Sequence, residues 1–199
     1  MIKTLRDQSA PDADASPPTD RILGVLLAAG AGRRAGGPKA LRLAADGTSW
    51  LLRSIAVLRD GGCAAVIVVL GCQAARARDV LAISTLAEDS MITVVEASNW
   101  EQGMGSSLRS GLLAARSMSW RAVLVHLVDL PDVTAEVVRR LIQQAPPGTA
   151  ALARVTYGGR PGHPVLIGRD HLESIMAKLA GDSGAKGYLA HHAAHSVEC

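Results

Sequence analysis

The stretch from Leu27 to Leu41, LAAGAGRRAGGPKAL, gathers four glycines, two arginines and a lysine within fifteen residues. Glycines lack a Cβ, so their backbone N–H groups can approach phosphate oxygens closely, and Arg34 and Lys39 can neutralise the charge. Three phosphate-binding arrangements compete for it. A Walker A loop needs Gly-Lys followed by a hydroxyl residue, but Pro38 separates Gly37 from Lys39, and Ala40 has no hydroxyl. A dinucleotide fingerprint is nominally met by Gly30, Gly32 and Ala35. It also requires an immediate helix and an acid at the end of the second strand. Gly36-Gly37-Pro38 interrupts such a helix, and the second apolar run ends in Gly71-Cys72. A loop that wraps a nucleoside triphosphate remains, against a bland Gly-rich connection with solvated cations. The order strand, Ala-Ala-Gly, Arg, Gly-x-Pro-Lys favours the former.

Asp129 ends an apolar run and is followed by Leu130-Pro131. A carboxylate there is placed to hold a divalent cation, or else to cap the next helix, a role more natural for Asp132 or Thr134. Ser106 and Ser107 follow Gly103-Met104-Gly105 at a helix start. Free N–H groups and hydroxyls at such a start attract anions or base carbonyls, although an ordinary serine cap has the same pattern. His163 between Gly162 and Pro164 is expected in a rigid loop, where an imidazole either recognises a ligand or is merely solvated. His191, His192 and His195 suggest zinc, but in an expected polar tail they read better as solvated imidazoles. Cys63, Cys72 and Cys199 read as small packing residues rather than nucleophiles.

Four apolar runs would place these groups: Ile22–Leu27, Ala65–Leu70, Ile92–Val95 and Ala122–Val128. Each reads as a strand buried on both faces. Between them lie helical faces: Trp50, Leu51, Ile55 and Leu58; Val80, Leu81 and Ile83; Leu108, Leu112 and Leu113; and Val133, Val137, Val138, Leu141 and Ile142. The alternation predicts an α/β fold, a mostly parallel sheet covered on both faces, with ligands at the carboxyl ends of the strands. Residues 1–20, rich in Asp, Ser, Ala and Pro, are expected to form a flexible arm before one domain over 21–199.

Composition excludes several classes. The 199 residues are 48% hydrophobic but only 3% aromatic, without a single Phe, so no aromatic platform for single-stranded nucleic acid is available. A net charge of +3 suits an anionic small molecule and falls short of a nucleic-acid-binding stripe. With no apolar leader or bilayer-length run, and no disulfide framework among three cysteines, a cytoplasmic protein is expected.

The loop resembles the LAAGxGxRMGxPKxL segment of the MobA-like nucleotidyltransferases, matching at Leu27, Ala28, Ala29, Gly30, Gly32, Arg34, Gly36, Pro38, Lys39 and Leu41; Ala35 stands in place of Met. Val128-Asp129-Leu130-Pro131 resembles the family's GD-x-P motif, and Trp100 to Ser107 its W-x-x-G-x-x-x-S segment. Gly162-His163-Pro164 resembles the PGHPV segment of the molybdopterin cytidylyltransferase branch, and Gly181 to Lys186 its GDxGAR, with Lys186 for Arg. The resemblance implies a three-layer α/β/α Rossmann-like fold with a mostly parallel mixed sheet. It implies Mg²⁺-dependent transfer of CMP from CTP to the phosphate of molybdopterin, with release of pyrophosphate. Lys39, Arg34 and Asp129 would be catalytic, Asp129 would bind Mg²⁺, with Asp182 either a second carboxylate near the metal or only a helix-start residue, and Gly162, His163, Pro164 and Lys186 would bind the acceptor. Leu27 to Gly30, Gly32, Gly103, Ser106 and Ser107 would contact the nucleotide. A molybdenum hydroxylase or its maturation chaperone is the implied partner. The family's C-terminal D-x-D-T-P-x-D-like segment would begin where this chain ends, so either Asp182 takes its place or the metal site is incomplete. GTP or a sugar phosphate as substrate, and a non-catalytic molybdenum-cofactor carrier, are the alternatives.

Overall fold

A computed structural model describes residues 20–33, 36–179, 181 and 184–199. The arm expected over residues 1–20 lies outside these, apart from Asp20. The four predicted strands form as β1 (Ile22–Ala28), β2 (Ala65–Leu70), β3 (Ile92–Glu96) and β4 (Ala122–Leu127). Three further strands follow: β5 (Leu152–Tyr157), β6 (Arg160–Gly168) and β7 (His195–Glu198). All seven make one mixed sheet in the order β3-β2-β1-β4-β6-β5-β7. β1 runs parallel to both β2 and β4, whereas β6 is antiparallel to β4 and β5, and β7 is parallel to β5.

The branched aliphatic residues of β1 point alternately to two cores, which is why the run is apolar throughout. Ile22 and Leu26 face α1 (Trp50–Asp60), α2 (Ala74–Ala82) and α4 (Ala135–Gln144). Leu23, Val25 and Leu27 face α3 (Met104–Arg116), α5 (Leu172–Lys178) and α6 (Lys186–His191). This is the three-layer α/β/α arrangement.

Some helical faces need correction. Ile83 follows α2 and is exposed rather than packed. Leu113 is also exposed, because Leu108, Leu112 and Ala115 repeat at three- and four-residue spacing and leave it about a quarter-turn away. The His163 segment is strand β6, not a loop, since antiparallel pairing with β5 holds it. Nor is the histidine cluster a tail: His191 closes α6 and His195 opens β7, which pairs with β5. At that edge the Glu198 carboxylate accepts hydrogen bonds from the Thr156 hydroxyl and the Gly158 and Gly159 amides, pinning the β5–β6 turn.

Strand order reverses direction around β1 and β4, and the loops leaving their carboxyl ends diverge to form a crevice. Leu27 and Leu127 are register partners there, and the Val128 amide donates to the Leu27 carbonyl at 3.1 Å. Whatever follows Ala28 and whatever follows Leu127 must therefore meet.

Candidate active site

The chain leaves β1 through Ala29 and Gly30 and folds back on itself. Gly32 has φ +59°, and the Gly37 amide donates to its carbonyl at 3.2 Å. A Cβ on Gly32 would lie 1.9 Å from the Gly37 oxygen, so only glycine permits this closure. Pro38 then starts a single 3₁₀ turn, Lys39–Leu41, anchored by buried Ala40. That anchor holds Lys39 at the loop's exit, where its ammonium donates to Asp129 Oδ2. Asp129 sits two residues beyond β4, in a turn closed by Leu130 N–H to the Leu127 carbonyl. Ninety residues of sequence separate the pair, and both side chains are 33% exposed. Such a partly solvated pair is weakly held and free to exchange partners with an incoming anion or cation.

The pair opens into a cleft of about 500 Å³. Leu27, Ala29, Gly30, Gly32 and Arg33 form one side; Gly103, Met104 and Ser107 at the start of α3 form another. Gly103, with φ +111°, turns the chain from the 3₁₀ segment Trp100–Gln102 into α3. Trp100, also at the cleft, packs so closely on Gly71 that a Cβ there would lie 2.7 Å from its ring. Ser107 is buried and faces the cleft. Ser106 does not line it, and its carbonyl accepts from the Ser110 hydroxyl. Ala28 is buried behind the loop. Arg34 and Asp182 lie outside the described residues.

A second cavity of about 350 Å³ adjoins the first, sharing Leu27 and Met104 with it. Gly162, His163 and Lys186 converge on this cavity, whereas Pro164 does not line it. Gly162 lies against Tyr157, whose hydroxyl donates to the His163 carbonyl at 3.0 Å. Burial, then the nearby Arg154 charge, holds the His163 pKa below its usual range, while Asp129 pulls it partly back.

Two polar side chains here escaped the sequence reading. Arg154 lies on β5 and lines the second cavity. His126, only 1% exposed, lies on β4 three residues before Asp129. Burial and the His163 charge push its pKa down to about 4 against the opposing pull of Asp129. Its Nδ1 is buried without a hydrogen-bond partner. The signal was present in both cases, as the one basic residue of its strand.

Among the described residues, no three His, Cys, Asp or Glu side chains gather to hold a metal ion. Asp129 still fits a cation of the Mg²⁺ kind, which is commonly bound through one or two carboxylates and the substrate's own phosphates. No described helix is long and apolar enough to cross a membrane.

The profile of the MobA-like NTP transferase domain matches residues 24–197. Nicotine blue oxidoreductase of Paenarthrobacter nicotinovorans is 36% identical over 174 residues, spanning 84% of this chain and 81% of that protein. Among solved structures, Rv0371c from Mycobacterium tuberculosis H37Rv superposes with a TM-score of 0.75 at 28% identity, over 91% of this chain and 89% of that one. The same protein in complex with manganese gives a TM-score of 0.70 at 27% identity, over 90% and 88%. A nucleotidyl transferase from Methanothermobacter thermautotroptrophicus shares the fold, with a TM-score of 0.71 at 21% identity over 90% and 87%.

Proposed function

The chain belongs to the MobA-like NTP transferase family, and from that premise we propose that it transfers CMP from CTP to the phosphate of molybdopterin. The observation that carries the proposal is the meeting of Lys39 and Asp129 at the mouth of the glycine loop. In this reaction an acceptor phosphate oxygen bonds to the α-phosphorus of the nucleotide. The bond from that phosphorus to the α–β bridging oxygen breaks, and pyrophosphate leaves. No enzyme nucleophile is required, because the acceptor phosphate is already ionised, so catalysis rests on alignment and charge neutralisation.

Backbone amides of the Gly30–Gly37 loop cradle the triphosphate, while Lys39, with Arg34 from the same loop, offsets charge on the α-phosphate and the leaving pyrophosphate. Gly103 and Ser107 at the head of α3 face the nucleotide from the opposite wall. Asp129, with Asp182 as a second ligand, would hold a divalent cation, which when bound supplies further neutralisation of the triphosphate. We take that ion to be Mg²⁺; the manganese complex of Rv0371c supports a divalent ion in a relative. The second cavity, with Gly162, His163 and Lys186 on its walls, receives the acceptor. Ala29 and the PGHPV-like segment favour CTP and molybdopterin over GTP or a sugar phosphate, and a molybdenum hydroxylase or its chaperone would then receive the product.

The 36% identical relative is named an oxidoreductase, and that name favours a second reading, the oxidation or reduction of a small molecule. Pyrophosphate release from CTP, GTP and ATP with Mg²⁺ and molybdopterin, run beside NADH and NADPH oxidation, separates the two. Release with CTP is the expected result. Cofactor oxidation without release from any nucleotide would replace the proposal with the second reading.

A further inference from the structure

The second cavity has aliphatic walls, with Leu108, Val125, Ile167 and Leu189 among them, and its two cationic side chains are Arg154 and Lys186. No carboxylate stands among its described lining residues. Arg154 projects from β5, between register partners Val165 on β6 and Ser196 on β7. Its Nε is buried without a hydrogen-bond partner. Leaving a guanidinium donor dry and unpaired is costly, and a planar fork of N–H groups is shaped to take two oxygens of one anion.

We propose that Arg154 is the anion-reading residue of the second cavity, whose ligand is a phosphomonoester with a ring that packs against the aliphatic walls. This inference rests on taking the second cavity as the acceptor site. It assigns the selection of acceptors to a residue on β5 rather than to the His163 segment alone. The aliphatic walls take the ring, and Arg154 with Lys186 takes the phosphate.

The test is direct binding to the full chain by calorimetry, without nucleotide. The probes are 4-methylumbelliferyl phosphate, uncharged 4-methylumbelliferone and inorganic phosphate, with wild type, Arg154→Lys and Arg154→Gln compared. Expected is wild-type binding of the phosphate ester at least tenfold tighter than either half-probe. Arg154→Gln should lose about 30-fold of it, in keeping with loss of a charged hydrogen-bond pair, and Arg154→Lys should restore part. CTP affinity should stay unchanged in both variants. Equal affinity for the ester in wild type and Arg154→Gln would overturn the assignment. So would wild-type preference for the uncharged probe, a result that needs no variant to fold. CTP turnover with no Arg154-dependent ester binding would sink this inference and leave the proposed reaction standing. Arg154-dependent ester binding without nucleotide turnover would do the reverse.

Discussion

In the proposed reaction, replacing Lys39 by Ala leaves Asp129 without its cation and the triphosphate without a neutralising group. On the same proposal, Asp129→Ala removes the anchor for a divalent ion. Each change should slow pyrophosphate release by about a hundredfold or more, measured at saturating CTP. Both residues serve the same charge, so the double variant should be little worse than the slower single one. A second residue-scale effect concerns His126, a proton site the reaction does not use. Its pKa falls from about 6.5 in the unfolded chain to about 4 in the fold, so the unfolded chain takes up its proton first. Stability is then full above pH 6.5, falls as pH drops towards 4, and loses nothing further below that. The total is about 3 kcal/mol. His163 shifts in the same direction and is retained in a His126→Leu variant. Urea midpoints at pH 7.5 and pH 5 should therefore differ clearly less in His126→Leu than in wild type. An unchanged difference would show that His126 is not the group responsible.

Among the elements, α3 brings Ser107 to the cleft, with Gly103 at its N-terminal cap, and packs directly on the central strands. Gly111 allows that approach: a Cβ there would lie 2.7 Å from Val25 Cγ1 and 2.9 Å from Val69 Cγ2. Gly111→Val should cost about 2 kcal/mol, overpacking outweighing a small gain in helix propensity. It should also weaken CTP binding, since the helix can relieve the clash only by moving away from the sheet. Denaturant unfolding and nucleotide titration check the two effects. The parallel half of the molecule was legible in the sequence for a physical reason. Strands buried on both faces, such as Val66–Leu70, are continuous apolar runs, and the chemistry stands at their carboxyl ends. The antiparallel half was not. Leu152–Tyr157 is interrupted by Arg154 and Thr156, Arg160–Gly168 opens on Arg-Pro-Gly-His-Pro, and His195–Glu198 contributes only Val197 to the core. Those strands exist because of their partners rather than their own pattern. Arg154 and His126 were missed for a related cause, as single polar residues whose meaning depends on what faces them across the sheet.

At the scale of the whole molecule, the crevice between β1 and β4 joins two cavities at Leu27 and Met104. One cavity offers a glycine loop, a lysine and a carboxylate; the other offers aliphatic walls with two cations. This division suits a reaction between two separately bound molecules, with the reacting groups meeting at the shared wall. The fold itself does not choose the chemistry, as the oxidoreductase name of a 36% identical relative makes plain. The most direct test follows the atoms: CTP labelled at the α-phosphorus is incubated with the protein, Mg²⁺ and molybdopterin, and the label is traced by chromatography and mass spectrometry. The proposed reaction moves the label into a cytosine dinucleotide of molybdopterin, with one pyrophosphate released for each transfer. Label retained in CTP by protein that binds both substrates would contradict it.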